Sequence, residues 1–135
     1  MPRRRTDMQL AVLHHVAIIG SDYARSKRFY TGVLGLRVIA EHYGAERDSW
    51  KLDLALPDGT QVELFSFPSP PPRVSRPEAC GLRHLALQVT DLDEAVAHLN
   101  ACGVATEPVR VDEYTGRRFT FFADPDDLPL ELYEQ

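Results

Sequence analysis

Cysteine is scarce: the chain holds 2, Cys80 and Cys102, at no spacing that a zinc ribbon or a CxxC redox site uses. Two isolated thiols read as reduced side chains of a cytoplasmic protein and exclude a disulfide framework. Positive charge is also short. Lys and Arg total 15 against 20 Asp and Glu, a net charge of -5, so the basic footprint that nucleic acid or an anionic membrane surface requires is missing. The one basic run, Arg3-Arg4-Arg5, leads into polar Thr6-Asp7-Met8-Gln9, without the apolar stretch of a signal peptide. Residues 1–10 are expected to be a flexible tail. The rest, 44% hydrophobic and 26% charged, has the balance of an ordinary globular domain, and 135 residues suffice for one.

What the chain does have is a duplication, the first thing to seek in any sequence. Leu13-His14-His15-Val16-Ala17-Ile18 is echoed by Leu82-Arg83-His84-Leu85-Ala86-Leu87. Pro57-Asp58-Gly59-Thr60-Gln61-Val62-Glu63-Leu64-Phe65 is echoed by Pro125-Asp126-Asp127-Leu128-Pro129-Leu130-Glu131-Leu132-Tyr133. His15 and His84 lie 69 positions apart, as do Asp22 and Asp91, while Glu63 and Glu131 lie 68 apart. Half of such a chain is marginal as an independent unit by surface-to-volume scaling, so the halves are expected to share a core or pair with another chain.

Each half reads β-α-β-β-β. Residues 11–20 form a β-rich run ending at Gly20-Ser21-Asp22. Asp22 suits a helix N-cap, where its carboxylate accepts first-turn N–H groups, and the helix is expected to run to Leu34 and end at Gly35. Strands are predicted at 36–43, 49–56 and 60–67, the last two joined by the Pro57-Asp58-Gly59 turn. In the second half a strand spans 82–90, and Asp91 with Glu94 opens a helix as in a capping box. Leu92, Ala95, Val96 and Leu99 give that helix one apolar stripe. Strands at 104–112, 117–123 and 129–134 follow. The expected organisation is one domain over 11–135, with module one at 11–67 and module two at 82–135. Between them, 68–81 is a stiff Pro-rich linker.

Side chains alternate between the two faces of a strand. Val16, Ile18, Val62, Leu64, Leu85, Leu87, Val89, Leu130 and Leu132 share one parity, an apolar face fit to pack under the helices. His15, Glu63, His84 and Glu131 take the other. A carboxylate flanked by apolar neighbours is costly to bury unless paired or coordinated. Each residue alone reads as a surface charge, but four in repeat register form a constellation. Two imidazoles and two carboxylates are a mixed N/O donor set that balances a divalent cation and suits Zn, Ni, Fe, Mn or Co. His14 has the opposite parity to His15 and is expected to be structural; His42 and His98 are read as surface residues.

These features resemble the vicinal oxygen chelate superfamily, the glyoxalase I-like proteins. The resemblance covers about residues 11–135 and rests on four features: the His of each first strand, Phe29-Tyr30 with Leu34-Gly35, the Asp124-Pro125-Asp126-Asp127 turn, and the Glu of each fourth strand. It implies an α+β fold of two tandem βαβββ modules whose eight strands form a cupped sheet around one divalent metal. The implied ligands are His15, Glu63, His84 and Glu131. The His-Glu-His-Glu order matches the glyoxalase I subgroup, a lyase acting on a thiol adduct of a 2-oxoaldehyde. Glu131, with Glu63 as its partner, would then be the catalytic base.

Departures from the pattern are instructive. Ile19 and Phe67 stand where glutathione-using members carry Arg and Asn, which points to another thiol or to a substrate without one. Asp127 replaces the usual turn Gly, and Asp tolerates the left-handed backbone better than most residues. Phe65, Phe67, Tyr133 and Arg118 are expected to contact a small-molecule substrate, with Arg47, Lys51, Arg73 and Arg76 as further cationic candidates. Exposed sheet edges favour a homodimer. The alternatives are another metalloenzyme of the superfamily, a thiol transferase of antibiotic resistance or an epimerase, and a non-catalytic binding module.

Overall fold

A computed structural model describes residues 8–135. Most of the expected tail, including Arg3-Arg4-Arg5, lies outside the described residues; Met8–Leu10 are exposed and carry no regular structure. Module one comprises β1 (His15–Gly20), α1 (Tyr23–Arg28), β2 (Arg37–Gly44), β3 (Ser49–Ala55) and β4 (Gln61–Ser66). Module two comprises β5 (Leu85–Val89), α2 (Leu92–Ala101), β6 (Arg110–Val111), β7 (Arg118–Ala123) and β8 (Pro129–Glu134). The two β-α-β-β-β units and the α+β class are as expected. The eight strands, however, divide into two four-stranded sheets, β1-β4-β3-β2 and β5-β8-β7-β6, each with one parallel pair.

Local chemistry sets the element ends. Asp22 and Asp91 cap their helices, accepting the N–H of Arg25 at 3.1 Å and of Glu94 at 3.0 Å. α1 is shorter than expected because a π-helical turn, Phe29–Val33, takes over after Arg28. β1 starts four residues late: His15 pairs with Gln61, and earlier residues would have to pair with the Pro57–Thr60 turn. β5 starts at Leu85 opposite Leu130, since the next partner back is Pro129, which has no N–H to donate. β6 shrinks to two residues because Pro108 interrupts the ladder. The substituted turn survives. Asp127 adopts φ +66, and the Asp124 carboxylate accepts the N–H groups of Asp126 and Leu128, both at 2.9 Å.

The core explains the arrangement of the modules. Ile18, Leu52, Leu54, Val62 and Leu64 of module one share a single buried cluster with Leu92, Leu99, Phe122, Leu130 and Leu132 of module two. Val16, Leu85, Leu87 and Val89 pack against it, half-buried. The Tyr30 hydroxyl ties the modules together by donating to Asp124 Oδ2 at 2.7 Å inside the core. Each sheet thus turns its helix-side parity towards the other module and leaves the opposite parity uncovered, where Ala17, Ile19, Ala86 and Gln88 are exposed. Among the described residues no helix is long and apolar enough to cross a membrane.

Candidate metal centre

On the uncovered face of module one, His15 Nε2 stands 3.5 Å from Glu63 Oε2. On that of module two, His84 Nε2 stands 3.4 Å from Glu131 Oε1. The register repeats too: Ala17 pairs with Glu63 and Ala86 with Glu131, and each His lies two residues before its Ala. The cross-strand neighbour of each carboxylate is thus only an alanine methyl. Both carboxylates are largely sheltered, at 13% and 14% side-chain exposure, yet neither receives a hydrogen bond from the described residues.

The separations bear on what these pairs can hold. They exceed the roughly 2.7–3.2 Å of an N–H···O hydrogen bond. Two donors each about 2.1 Å from one ion, at about the tetrahedral angle, stand about 3.4 Å apart. Each pair therefore has the spacing of two ligands on one cation. The rings are held by neighbours. His14 Nδ1 lies 2.9 Å from His15 Nδ1, leaving Nε2 towards Glu63, and Phe121 meets the His84 ring edge-on at 5.0 Å between centroids.

The four residues do not meet within one chain. Among the described residues no group of three or more His, Cys, Asp or Glu is placed to share an ion. Both pairs have the parity opposite to the shared core, so each faces away from the other module. The cup expected from the repeat is thus present as two separate halves.

The remaining candidates divide by face. Phe65 and Phe67 stack at 5.8 Å with Arg47 over the Phe67 ring at 4.4 Å. Lys51 donates to Asp53 at 2.8 Å, which holds its ammonium above the ordinary range, and lies 3.8 Å from Glu63. Tyr133, on the Glu131 face, is pinned by Asp112 at 2.9 Å and by Thr115. Arg118 has to be corrected. Its parity is that of Glu134, which it grips at 2.9 and 3.0 Å while also reaching Asp93. This guanidinium braces the start of α2, where Glu134 accepts the Leu92 N–H at 3.0 Å, and takes no part in the open face. Nor is His98 a bystander: its Nε2 lies 2.7 Å from the Val33 carbonyl across the modules. Phe121, opposite Glu131, and Arg110, over Phe119 and Phe121, escaped sequence reasoning. The alternation in Phe119-Thr120-Phe121 carried a signal for Phe121; a two-residue strand carried none for Arg110.

Comparison with known proteins agrees with this architecture. The family model for the Glyoxalase/Bleomycin resistance protein/Dioxygenase superfamily matches residues 12–132. Uncharacterized protein YaeR of Escherichia coli (strain K12) is 62% identical over 126 residues, 93% of this chain and 98% of the relative. A glyoxalase family protein from Enterococcus faecalis has a crystal structure that superimposes with a TM-score of 0.85 at 49% identity, covering 91% of this chain and 97% of that one. A 2-epi-5-epi-valiolone epimerase of Actinomyces sp is 30% identical over 141 residues, 89% of this chain and 77% of the relative.

Proposed function

Because this chain belongs to the glyoxalase/bleomycin resistance protein/dioxygenase superfamily, we propose that it is a divalent-metal-dependent enzyme of glyoxalase I type. The observation that carries the reading is the recurrence, at one register on both sheets, of a His–Glu pair spaced 3.5 and 3.4 Å. Neither pair is a complete site. A homodimer that sets module one of one copy against module two of the other brings His15 and Glu63 to His84 and Glu131 of the second copy. The symmetry of such a pair generates two equivalent four-donor sites.

A cation held there, Zn, Ni, Fe, Mn or Co, supplies Lewis-acid polarisation of a substrate's adjacent oxygens. The chain's own groups do the rest. Glu131 takes the proton from the carbon beside the polarised carbonyl; Glu63 takes the adduct's hydroxyl proton and delivers it to the neighbouring carbon, and Glu131 passes its proton to that carbon's oxygen, so both carboxylates are restored. Hydrogen and two electrons thus move within one molecule and no external oxidant is needed. Phe65, Phe67 and Tyr133 wall the open faces, and the apolar surroundings strengthen the pull on the proton.

Elemental analysis of the purified protein, followed by turnover of methylglyoxal adducts of several low-molecular-weight thiols, tests this. About one ion per chain is expected for a twofold dimer, with activity falling by about two to four orders of magnitude in Glu131→Gln. Metal-loaded protein that turns over none of the adducts refutes the lyase reading. A second reading, epimerisation, uses the same proton abstraction but returns the proton to the same carbon. It is favoured by the epimerase relative and by Ile19 and Phe67, which offer a tripeptide thiol no charged or amide anchor. Solvent deuterium entering the same C–H with inversion of that centre, and no 2-hydroxyacyl thioester formed, distinguishes it.

A further inference from the structure

His84 lines a cavity of about 470 Å³ whose charged residues have no role in the proposed ligand set. The linker contributes Arg73 and Arg76 to its wall, the approach to β5 contributes Arg83, and β6 contributes Arg110. Four guanidinium groups face three carboxylates there, Glu78, Glu107 and Asp127. In a chain of net charge -5 this is a local surplus of positive charge.

How the four are held matters more than their number. Arg73 is built in: it donates to Ser75 Oγ at 2.9 Å and to the carbonyls of Leu82 and Arg83 at 2.6 and 3.0 Å. Neutral acceptors take three of its five N–H groups without cancelling its charge. Arg110 lies over the Phe119 and Phe121 rings, with Glu107 as its one carboxylate partner among the described residues, at 3.1 Å. Arg83 makes a long hydrogen-bond contact with His84 Nδ1 at 3.4 Å, and only a loose ion pair, at 4.0 Å, with Glu78. Arg76 has no carboxylate partner among the described residues. A guanidinium stays charged at any physiological pH and offers a planar fork that fits carboxylate or phosphate. The carboxylates of the wall are fewer, and a concavity with a positive surplus concentrates anions.

We propose that this cavity is the subsite for an acidic group of the substrate, a carboxylate or a phosphate, with the remainder of the molecule reaching past Phe121 to His84. The substrate is then an organic anion, not a neutral carbonyl compound. Its orientation towards His84 rests on the metal-site reading above; the anion subsite itself does not.

The test uses metal-stripped, full-length protein, titrated separately with inorganic phosphate and with acetate and followed by amide chemical shifts. Saturable shifts are expected around Arg83, His84 and Arg110 with at least one anion, and the anion that binds more tightly identifies the acidic group. Arg83→Gln combined with Arg110→Gln is expected to weaken binding by about tenfold or more, as two charge-assisted hydrogen bonds are lost. Each single variant should weaken it by less, and Arg25→Gln, on α1, should leave it unchanged. Glu131→Gln should lose metal and keep the anion, so the two readings fail separately. No saturable shift with either anion, or equal affinity in the double variant, overturns the proposal.

Discussion

The division of the donor set between two outward faces makes a quantitative prediction about mixed dimers. Consider two variants, His15→Ala/Glu63→Ala and His84→Ala/Glu131→Ala. Each alone offers every site only one His and one Glu, and two donors compete poorly with water for a divalent ion. Neither should retain metal through dialysis against a chelator. In a dimer of one variant with the other, one of the two sites draws both intact halves and the second draws none. Random re-association gives mixed dimers for about half the population, so about one quarter of the wild-type sites should reappear. Purifying the mixed dimer through two different affinity tags should raise the metal content to about half of wild type. Elemental analysis after unfolding and refolding the two together reads the outcome. No recovery of metal on mixing would refute the shared site, since four ligands drawn from one chain cannot be complemented. Full retention by either parent would refute the ligand set itself.

Two further expectations concern stability. Tyr30 is 2% exposed and its hydroxyl donates to Asp124, so Tyr30→Phe should cost about 1.5–3 kcal/mol in urea denaturation, the range for a hydrogen bond to a charged group. Burial, then the Asp124 charge, pushes the Tyr30 phenol well above its ordinary value. Its contribution is therefore complete below about pH 10 and is lost as pH climbs towards the raised folded value, by about 1.4 kcal/mol per pH unit. That part of the alkaline slope should vanish in the variant; an unchanged slope would contradict the assignment. Arg118→Gln should lower thermal stability yet leave metal content intact, because Arg118 braces Glu134 and Asp93 behind the sheet. The Arg118 hydrogen bonds hold the Glu134 carboxyl below its usual range. This contribution is present above the ordinary carboxylate range and fades as pH falls through the lowered folded value. The variant's acid limb should be flatter, and loss of metal would count against this placement.

Period-two alternation and a duplicated motif are local properties, which is why so much is legible in the sequence. The parity of His15 with Glu63, and of His84 with Glu131, follows from strand geometry alone. So does the apolar face of Ile18, Leu64, Leu130 and Leu132, because a side chain's face depends only on its neighbours along the strand. The turn at Asp127 and the caps at Asp22 and Asp91 are equally local, each satisfied within a few residues. Which way those faces turn is a different matter. Leu52, Leu64, Phe122 and Leu132 enter one common core, and that long-range burial sends the two His–Glu pairs to outward surfaces and leaves each needing a partner. The same packing places Arg118 behind its sheet and Arg110 in front of it. Alternation along β7 separates Arg118 from Phe119 and Phe121, but only the pairing with β8 shows that its side is that of Glu134, and the two residues of β6 give no alternation by which to place Arg110.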